Sequence, residues 1–389
     1  MARIEADRRP RPRLIAVRIA IVDTLYPAFV AAHYARHPGL ARAPYAEQHA
    51  ALLARSFGTS DAYSTNLRAL GHEAIDLLVD VEPLQLAWAR EHGTGRRRDR
   101  LPARLRRDAG PRLRAIAREQ IAHFGADVVY CQDLSFFPAP ELRALHAEGR
   151  LVVGQIAAAP PGDEQLRAYD LLLTSFPHYV ARFQALGVDA AYFRIGFDER
   201  VLGRLRDAGV DPDPQAPGRD GAVFVGGVDP RVHAEGVARW ERLLAQAPFD
   251  VYGYGGDRLP ATSPLRAVWR GEAWGLDMYA VLARAGIALN RHVAAAEGHA
   301  NNMRLYEATG VGALVLTEAA PNLGELFDPG CEIVAYRDDA ELAEQLRHYL
   351  AHPQERRAIA AAGQRRTLRE HTYAQRMAEL AALLERRRP

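Results

Sequence analysis

The chain has 389 residues, 48% of them hydrophobic and 25% charged, with a formal net charge of +2 at pH 7. This composition is typical of a globular protein with two ordinary domains, and so small a net charge gives no reason to expect nucleic acid as a partner. All 50 basic residues are arginine. The absence of lysine excludes the P-loop lysine of nucleotide triphosphatases, the lysine of protein kinases and Schiff-base catalysis.

Three features of the sequence bear on its compartment. Cys131 and Cys331 are 200 positions apart, which predicts free thiols in a reducing cytosol rather than a metal-binding pair. The basic and then apolar start has the outline of a signal peptide, but Arg18 interrupts it and Asp23 follows closely, so we predict a first core strand instead. Because no apolar run approaches the roughly 18 residues of a membrane span, we predict a soluble, cytoplasmic protein without membrane insertion.

In the first half of the chain, short β-branched runs alternate with amphipathic helices. The predicted strands cover 14–23, 74–80, 127–133, 151–157 and 170–175, and the predicted helices include 112–124 and 141–148. The runs from residue 127 onward are apolar on both faces, as in parallel strands that helices cover on both sides. The alternation predicts a parallel, doubly wound sheet.

Residues 203–221 are rich in proline, glycine and aspartate and have no apolar period. We therefore predict a linker and hinge between a first domain of residues 1–202 and a second domain of residues 222–371. The alternation then restarts, with predicted strands at 222–226, 249–253, 286–290, 313–317 and 332–336 and a predicted helix at 231–246.

The tail, 372–389, is predicted to be a last helix. Its apolar stripe of Met377, Leu380 and Leu384 needs a partner, and we expect it to cross back onto the first domain. The predicted fold class is thus α/β, with two Rossmann-like parallel-sheet domains facing a central cleft and a C-terminal helix that returns to the first domain.

One basic cluster, Arg96–Arg107, contains seven arginines. An anionic partner is one interpretation. Such runs are usually solvated surface, however, and no aromatic residue is interleaved to stack on bases. The sequence favours a solvated loop and leaves an anionic partner as the alternative.

The second half contains three glycine-rich turns. Gly226 and Gly227 end the strand at 222–226, and Arg231 and His233 fall in the first turn of the next helix, where a diphosphate can approach backbone amides. Plain tight turns are the alternative, because two glycines without a fuller motif are a weak signal. Two further turns contain the candidates to hold the nucleobase end of a donor, which are Gly253, Tyr254, Gly271 and Glu272. Plain turns with aromatic residues packed inward are the alternative.

The stretch around residue 300 is the most informative. A strand ends at Asn290, and Asn301 or Asn302 is a good N-cap for a short helix on which Arg304 and Glu307 share one face. A surface ion pair is one interpretation. The helix begins, however, at the carboxyl ends of parallel strands, where open α/β sheets bind ligands, so we favour a phosphate contact for the arginine and a ribose contact for the glutamate.

The second half resembles GT-B glycosyltransferases and, within them, the CgeB-like group of spore-maturation proteins. The resemblance covers nearly all of 221–376 and is carried, in order, by VFVGG, VYGYG, GEAWGLDMY, NNMRLYEATGVGALVLTE and ELFDPGCEIVAY. It implies that Glu307 contacts the donor ribose. Many related enzymes have another glutamate eight positions earlier, where this sequence has His299, so the roles of that glutamate are not carried over.

The acceptor side must come from strand ends of the first half. Asp23, Asp133, Gln155 and His178 each follow an apolar run. Asp133 and His178 are the best-placed catalytic acid–base candidates, while caps or turn formers are the alternative; Asp23 and Gln155 are predicted to face the acceptor. We predict no metal site, because His33 and His37 have no third ligand nearby.

The main hypothesis is a metal-independent glycosyltransferase that moves a sugar from a nucleotide-diphosphate sugar, a co-substrate, to an unknown acceptor, without any other cofactor. Arg231, Arg304 and helix N-terminal amides would stabilise the leaving diphosphate. Two alternatives stay open: a sugar-nucleotide epimerase or hydrolase of the same fold, which acts on the donor alone, and a two-domain protein that binds a ligand without chemistry.

Overall fold

The structure is a computed structural model that describes residues 16–93 and 109–387. The cluster Arg96–Arg107 lies outside these residues. The described chain forms two parallel sheets with helices on both faces, so the predicted fold class is confirmed. Within those ranges, no helix combines the length and the apolar content needed to cross a bilayer.

The first sheet has the strand order β2-β1-β3-β4-β5-β6, and every pairing is parallel. Its strands are β1 (Arg18–Asp23), β2 (Glu73–Leu78), β3 (Val128–Cys131), β4 (Leu151–Ile156), β5 (Leu171–Thr174) and β6 (Asp189–Tyr192). The connecting helices are α1 (Pro27–Arg36), α2 (Tyr45–Leu53), α3 (Ala62–Ala69), α4 (Glu82–Glu91), α5 (Gly110–Phe124), α6 (Ala139–Ala147), α7 (Asp163–Leu166) and α8 (Pro177–Ala185).

The second sheet has the order β11-β10-β9-β7-β8, again parallel throughout. Its strands are β7 (Ala222–Val225), β8 (Asp250–Tyr252), β9 (Ile287–Leu289), β10 (Leu314–Glu318) and β11 (Val334–Tyr336). The helices are α9 (Arg200–Asp207), α10 (Pro230–Leu244), α11 (Leu265–Val268), α12 (Leu276–Arg284), α13 (Met303–Gly310), α14 (Leu323–Leu326), α15 (Asp339–Ala351), α16 (Pro353–Glu370) and α17 (Tyr373–Glu385).

Each of the ten predicted strands corresponds to a strand of the structure. The sequence missed β6, whose four residues DAAY contain a single buried side chain, Ala190. Such a short edge strand has neither the length nor the apolar run that marks a strand in a sequence. It forms because its backbone pairs with β5 from Leu171 to Thr174.

The tail helix α17 crosses back to the first domain, as predicted. Thr372 and Gln375 form a capping box at its start. Met377, Leu380 and Leu384 are buried in one cluster with residues of β1, β3 and α3. The apolar stripe therefore ties the end of the chain to the first sheet.

The chain passes between the two sheets twice, and the two passages lie side by side. The amide of Phe197 donates to the carbonyl of His371 at 2.8 Å, and the amide of Tyr373 donates to the carbonyl of Phe197 at 2.9 Å. Val201 and Leu205 of α9 are already packed in the core of the second domain. Whether the predicted linker 203–221 acts as a hinge stays a prediction, because only motion tests it.

Candidate functional site

The carboxyl ends of both sheets face a cleft, and the loops after them touch across it at two places. At one end of the cleft, Asn301 donates from Nδ2 to the carbonyl of Ser175 at 2.9 Å. At the other end, Arg55 and Asp277 form an ion pair at 2.7 Å. Open α/β sheets bind ligands at this edge, so the cleft between these two contacts is the candidate functional site.

Glycines let the backbones of β7 and β8 approach one another at their carboxyl ends. Gly253 has a φ of +138°, and a Cβ added there would lie 1.9 Å from the carbonyl oxygen of Gly226. A Cβ on Gly227 would lie 2.4 Å from Nε2 of His233. The sequence needs glycine at these positions for close packing. The amides of Gly226 and Gly253 are paired within the domain, with the carbonyls of Tyr252 and Gly271 at 2.9 Å each.

The N-terminus of α10 is built around Asp229, which sequence reasoning missed. Asp229 caps the helix by accepting from the amide of Arg231 at 3.0 Å, and its Oδ2 pairs with the guanidinium groups of Arg231 at 2.8 Å and Arg258 at 2.6 Å. The Arg231 side chain holds the pKa of Asp229 well below its usual range. The Arg231 side chain is 68% exposed. This arginine, which we predicted to bind phosphate, therefore lies at the rim of the cleft, and Asp229 balances part of its charge. An Asp-Pro pair before a helical pattern was the available signal.

His233 and Tyr254, two predicted donor-binding residues, contact each other. The Tyr254 hydroxyl and Nε2 of His233 are 2.7 Å apart. Burial lowers the pKa of His233, so this imidazole is neutral at pH 7. His233 therefore provides a neutral hydrogen-bonding group here, and the positive charge near it comes from arginine.

An open pocket of about 680 Å³ lies between the start of α1 and the loops after β8. Four of its ten lining residues are aromatic, Tyr26, Tyr254, Trp269 and Trp274, and three are charged, Asp257, Arg258 and Glu272. The predicted residue Glu272 lines it and accepts from Nε1 of Trp274 at 2.9 Å. Gly271 has a φ of +95° and accepts from the amide of Gly253 at 2.9 Å. The size and the aromatic walls suit a planar ring.

The three predicted asparagines are buried or half-buried and hydrogen-bonded. Asn290 donates to Thr317 Oγ1 at 2.9 Å, and its Oδ1 accepts from Asn302 at 2.8 Å. Asn301 accepts from the hydroxyl of Tyr306 at 2.8 Å while it contacts the first domain. Asn302 is the N-cap of α13, but its side chain makes no capping bond. These amides hold the loop before α13, which leaves the helix N-terminus available to a ligand.

Arg304 and Glu307 form an ion pair that is largely buried. The Arg304 Nη1 to Glu307 Oε2 distance is 2.8 Å, and Glu307 is only 5% exposed. The Tyr279 hydroxyl donates to Glu307 Oε1 at 3.4 Å, and Arg304 Nη1 lies 2.6 Å from the sulfur of Met278. The pair is therefore not on a solvated helix face, which was the alternative left open by its spacing.

On the first domain, three carboxyl groups gather at the ends of β1, β2 and β3. The Thr24 hydroxyl donates to Asp133 at 3.2 Å, while the Thr24 amide donates to Asp23 at 2.8 Å. Asp80, which sequence reasoning missed, accepts from the amide of Leu25 at 3.0 Å. Burial raises the pKa of Asp23 to about 7 and that of Asp80 to about 6. Raised pKa values of this kind, at Asp23 and Asp80, are typical of acid–base groups at functional sites.

Gln155 is fixed by two tyrosines of other elements. Tyr63 and Tyr130 both donate to its Oε1, at 3.0 Å and 2.5 Å. With that oxygen occupied, the Nε2 group is the part of the amide left to meet a ligand. The predicted acceptor-side residue is thus an oriented hydrogen-bond donor.

His178, the other predicted catalytic residue, faces the second domain across the cleft. Its ring stacks on His299, with centroids 4.8 Å apart, and its Nε2 lies 3.8 Å from a carboxylate oxygen of Glu297. Burial lowers the pKa of His178, so a neutral ring is present at pH 7. Asp133 and His178 lie on different strand ends, and the structure gives no contact between them.

Within residues 16–93 and 109–387, no group of three or more histidine, cysteine, aspartate or glutamate side chains is arranged to hold a metal ion. The two cysteines there are free, Cys131 buried and Cys331 exposed.

Residues 234–382 match the model of a family described as glycosyl transferase-like. No curated protein sequence matches the chain. Sucrose-phosphate synthase from Thermosynechococcus elongatus is similar in structure, with a TM-score of 0.58 at 13% identity, over 95% of this chain and 98% of that one. HepE from Anabaena, solved with UDP-glucose, gives a TM-score of 0.59 at 14% identity over 95% and 99%. A glycosyltransferase from Rickettsia africae has a TM-score of 0.55 at 10% identity, over 95% of this chain and 97% of that one.

These similarities, together with the two parallel sheets, define the GT-B fold. The part of the chain that carries α10, α13 and α17 is similar to glycosyl transferases, which supports that class of enzyme. The matched family is described only as glycosyl transferase-like, so the resemblance to the CgeB-like group stays a prediction.

Proposed function

We propose that the protein is a glycosyltransferase that moves a sugar from a nucleotide-diphosphate sugar to an acceptor held on the first domain. The observation that carries this proposal is the position of Arg304 and Glu307 on α13, at the carboxyl edge of the second sheet and inside the region similar to glycosyl transferases. HepE, a structural neighbour, was solved with UDP-glucose and with UDP, which makes UDP a sensible first probe.

The donor lies along the second domain in this proposal. Its ribose hydroxyls bind the carboxylate of Glu307, and its diphosphate lies between Arg304 and the rim residue Arg231. The nucleobase occupies the aromatic pocket beside Glu272. Each part of the ligand meets a group of suitable chemistry: a carboxylate for hydroxyls, guanidinium groups for phosphate and ring faces for a base.

Charge on the leaving diphosphate is stabilised without a metal ion. Asn302 makes no side-chain capping bond at the N-terminus of α13, and this helix has no acidic residue in its first turn. The N-terminus of α10 is instead capped by Asp229, so Arg231 is the group that α10 offers to the diphosphate. Helix N-termini and arginines favour an anion, which is the work a divalent cation does in other transferases. Metal independence is testable directly, because a chelator should leave the rate unchanged.

The acceptor lies on the first domain, among Asp23, Asp133 and Gln155. Asp133, held by Thr24, and the neutral imidazole of His178 are the proposed proton acceptors.

A panel of UDP-, ADP- and GDP-sugars, incubated with and without a chelator, tests the proposal. Binding of one nucleoside diphosphate and chelator-resistant turnover with an added acceptor are expected. Failure of all three nucleoside diphosphates to bind the intact protein would overturn it. Nucleotide release or sugar inversion with the donor alone would favour the epimerase or hydrolase, and a bound donor that never reacts would favour a binding protein.

The remaining parts of the proposal come from the sequence. We retain membership of the CgeB-like group, a cytoplasmic location, the lack of any cofactor beyond the donor co-substrate, and the lack of a nucleic-acid partner. The two free cysteines support the cytoplasmic location. The near-zero net charge supports the lack of a nucleic-acid partner.

A further inference from the structure

A segment of the second domain, residues 274–277, docks on the first domain through its backbone. The amide of Leu276 donates to the carbonyl of Arg55 at 2.7 Å. Gly275 has a φ of +54°, and a Cβ added to it would lie 2.1 Å from that same carbonyl oxygen. A contact with no room for any side chain is specific to one arrangement of the two domains.

Two ion pairs reinforce the same contact. Asp277 is in the first turn of α12, and its Oδ2 accepts from Arg36 Nη1 at 2.8 Å and from Arg55 Nη2 at 2.7 Å. Both arginines belong to the first domain. One carboxylate of the second domain is thus held between two guanidinium groups of the first, immediately after the loop that carries Glu272.

The docked segment brings Tyr26 of the first domain to the aromatic pocket. Its ring centroid is 5.8 Å from that of Trp274 and 6.4 Å from that of Tyr254. Tyr26 is 55% exposed, although it is a large aromatic residue. The polar tips of its two neighbours are occupied by Glu272 and His233, so their ring faces are what the pocket offers to a ligand.

We propose that Tyr26 is a donor-binding residue contributed by the first domain, and that Asp277, through Arg36 and Arg55, is the positioning residue that brings it to the nucleobase. The inference rests on the proposed function, since it assigns the base to the aromatic pocket. Donor binding and closure of the cleft are then coupled, because the pocket is complete only when the domains meet.

The Tyr26 part is tested by binding of UDP and of inorganic pyrophosphate, measured by calorimetry. Tyr26→Ala should weaken UDP binding about three- to tenfold, since aromatic contacts contribute on this scale. It should leave pyrophosphate binding unchanged, because pyrophosphate has no base. Tyr26→Phe keeps the ring and should bind UDP like the wild type. Equal weakening of both ligands, or no change in UDP binding, would overturn this part.

The Asp277 part is tested by small-angle X-ray scattering and the same calorimetry. Asp277→Asn should increase the radius of gyration of the free protein and weaken UDP binding. The matched control is Asp339→Asn, since Asp339 also pairs with two arginines, Arg239 at 2.9 Å and Arg242 at 2.5 Å, but within the second domain. It should change neither quantity. An Asp277→Asn protein that matches the control in both would overturn the positioning role.

Failure of the proposed function and failure of the positioning role give different results. If the wild type binds none of UDP, ADP and GDP, the proposed function is wrong and the assignment of Tyr26 fails with it. Scattering of the unliganded variants still tests the contact between Asp277 and the two arginines, because that readout needs no nucleotide.

Discussion

Replacing Glu307 with glutamine gives the most direct test of the donor site. The substitution keeps the size of the side chain and removes its charge. If the carboxylate accepts the ribose hydroxyls, it loses charge-assisted hydrogen bonds that contribute about 1.5–3 kcal/mol. The affinity for a nucleoside diphosphate should therefore fall about ten- to hundredfold.

The same change has a structural cost, because Arg304 loses its partner at 2.8 Å. Breaking a fully buried pair from one side costs about 3–5 kcal/mol. Arg304 is 19% exposed, and access to water should reduce the loss of unfolding free energy to about 1–3 kcal/mol. Lower stability is expected whatever Glu307 does, so affinity is the quantity that separates the two roles.

Calorimetry with UDP, at a temperature where urea titration shows the variant folded, provides the measurement. Glu341→Gln is the matched control, because Glu341, in the first turn of α15, pairs at 3.0 Å with Arg337, whose side chain is 82% exposed. This control should lose less than about 1 kcal/mol and bind UDP normally. Wild-type affinity in a folded but less stable Glu307→Gln protein would refute the ribose assignment and leave Glu307 as a support for Arg304.

Two further changes test the first domain. The pKa of Asp23 is raised to about 7 from an ordinary value of 3.8, so the native state binds this proton more tightly and the free energy of unfolding falls as the pH rises from about 4 to 7. Asp23→Asn should remove this loss, as measured by urea titration, and should lower transferase activity. An Asp23→Asn protein that is no more stable than the wild type at pH 8 would contradict the burial argument. Leu380→Ala in α17 should reduce the free energy of unfolding by about 2–4 kcal/mol, because Leu380 is fully buried. Leu383→Ala, at a partly buried position of the same helix, should cost clearly less, and equal costs would argue against specific packing of the stripe.

The sheets could be predicted from the sequence because their signals are local. Strands such as Val128–Cys131 and Leu171–Thr174 are buried along their whole length, and a continuous apolar run between helices indicates a parallel strand. The tail helix was predicted by the same kind of argument, since its stripe of apolar residues required a partner.

The candidate site could be predicted only in part, because its geometry depends on contacts distant in sequence. Glycines and asparagines after strand ends were visible, but Gln155 is oriented by Tyr63 and Tyr130, which lie 92 and 25 positions away. Tyr26 carries no motif. Its place in the pocket depends on how the second domain docks, which no local pattern contains.

The contact between His178 and His299 leads to a prediction about acid–base chemistry. The groups that face the His178 ring, besides the protein atoms that bury it, are Glu297, His299, Arg182 and the carbonyl of Ala295. Burial lowers the pKa of His178, Glu297 opposes this and His299 adds to it. Since a histidine with a lowered pKa is neutral at pH 7, it can accept a proton there. Its contribution to stability should be lost as the pH falls from the ordinary value of 6.5 through the lowered pKa, and activity should be lost as the pH falls through the lowered pKa itself.

Removing each charged neighbour should then move this titration in opposite directions. Glu297→Gln should lower the pKa of His178 and shift the acid limb of kcat/KM to lower pH, whereas His299→Ala should raise the pKa and shift the limb to higher pH. NMR titration of the His178 ring measures the pKa without requiring turnover, and the pH–rate profile shows whether activity follows it. Opposite shifts of the pKa with an unmoved rate profile would mean that His178 titrates as described but is not the catalytic group, and Asp133 would remain as the proton acceptor.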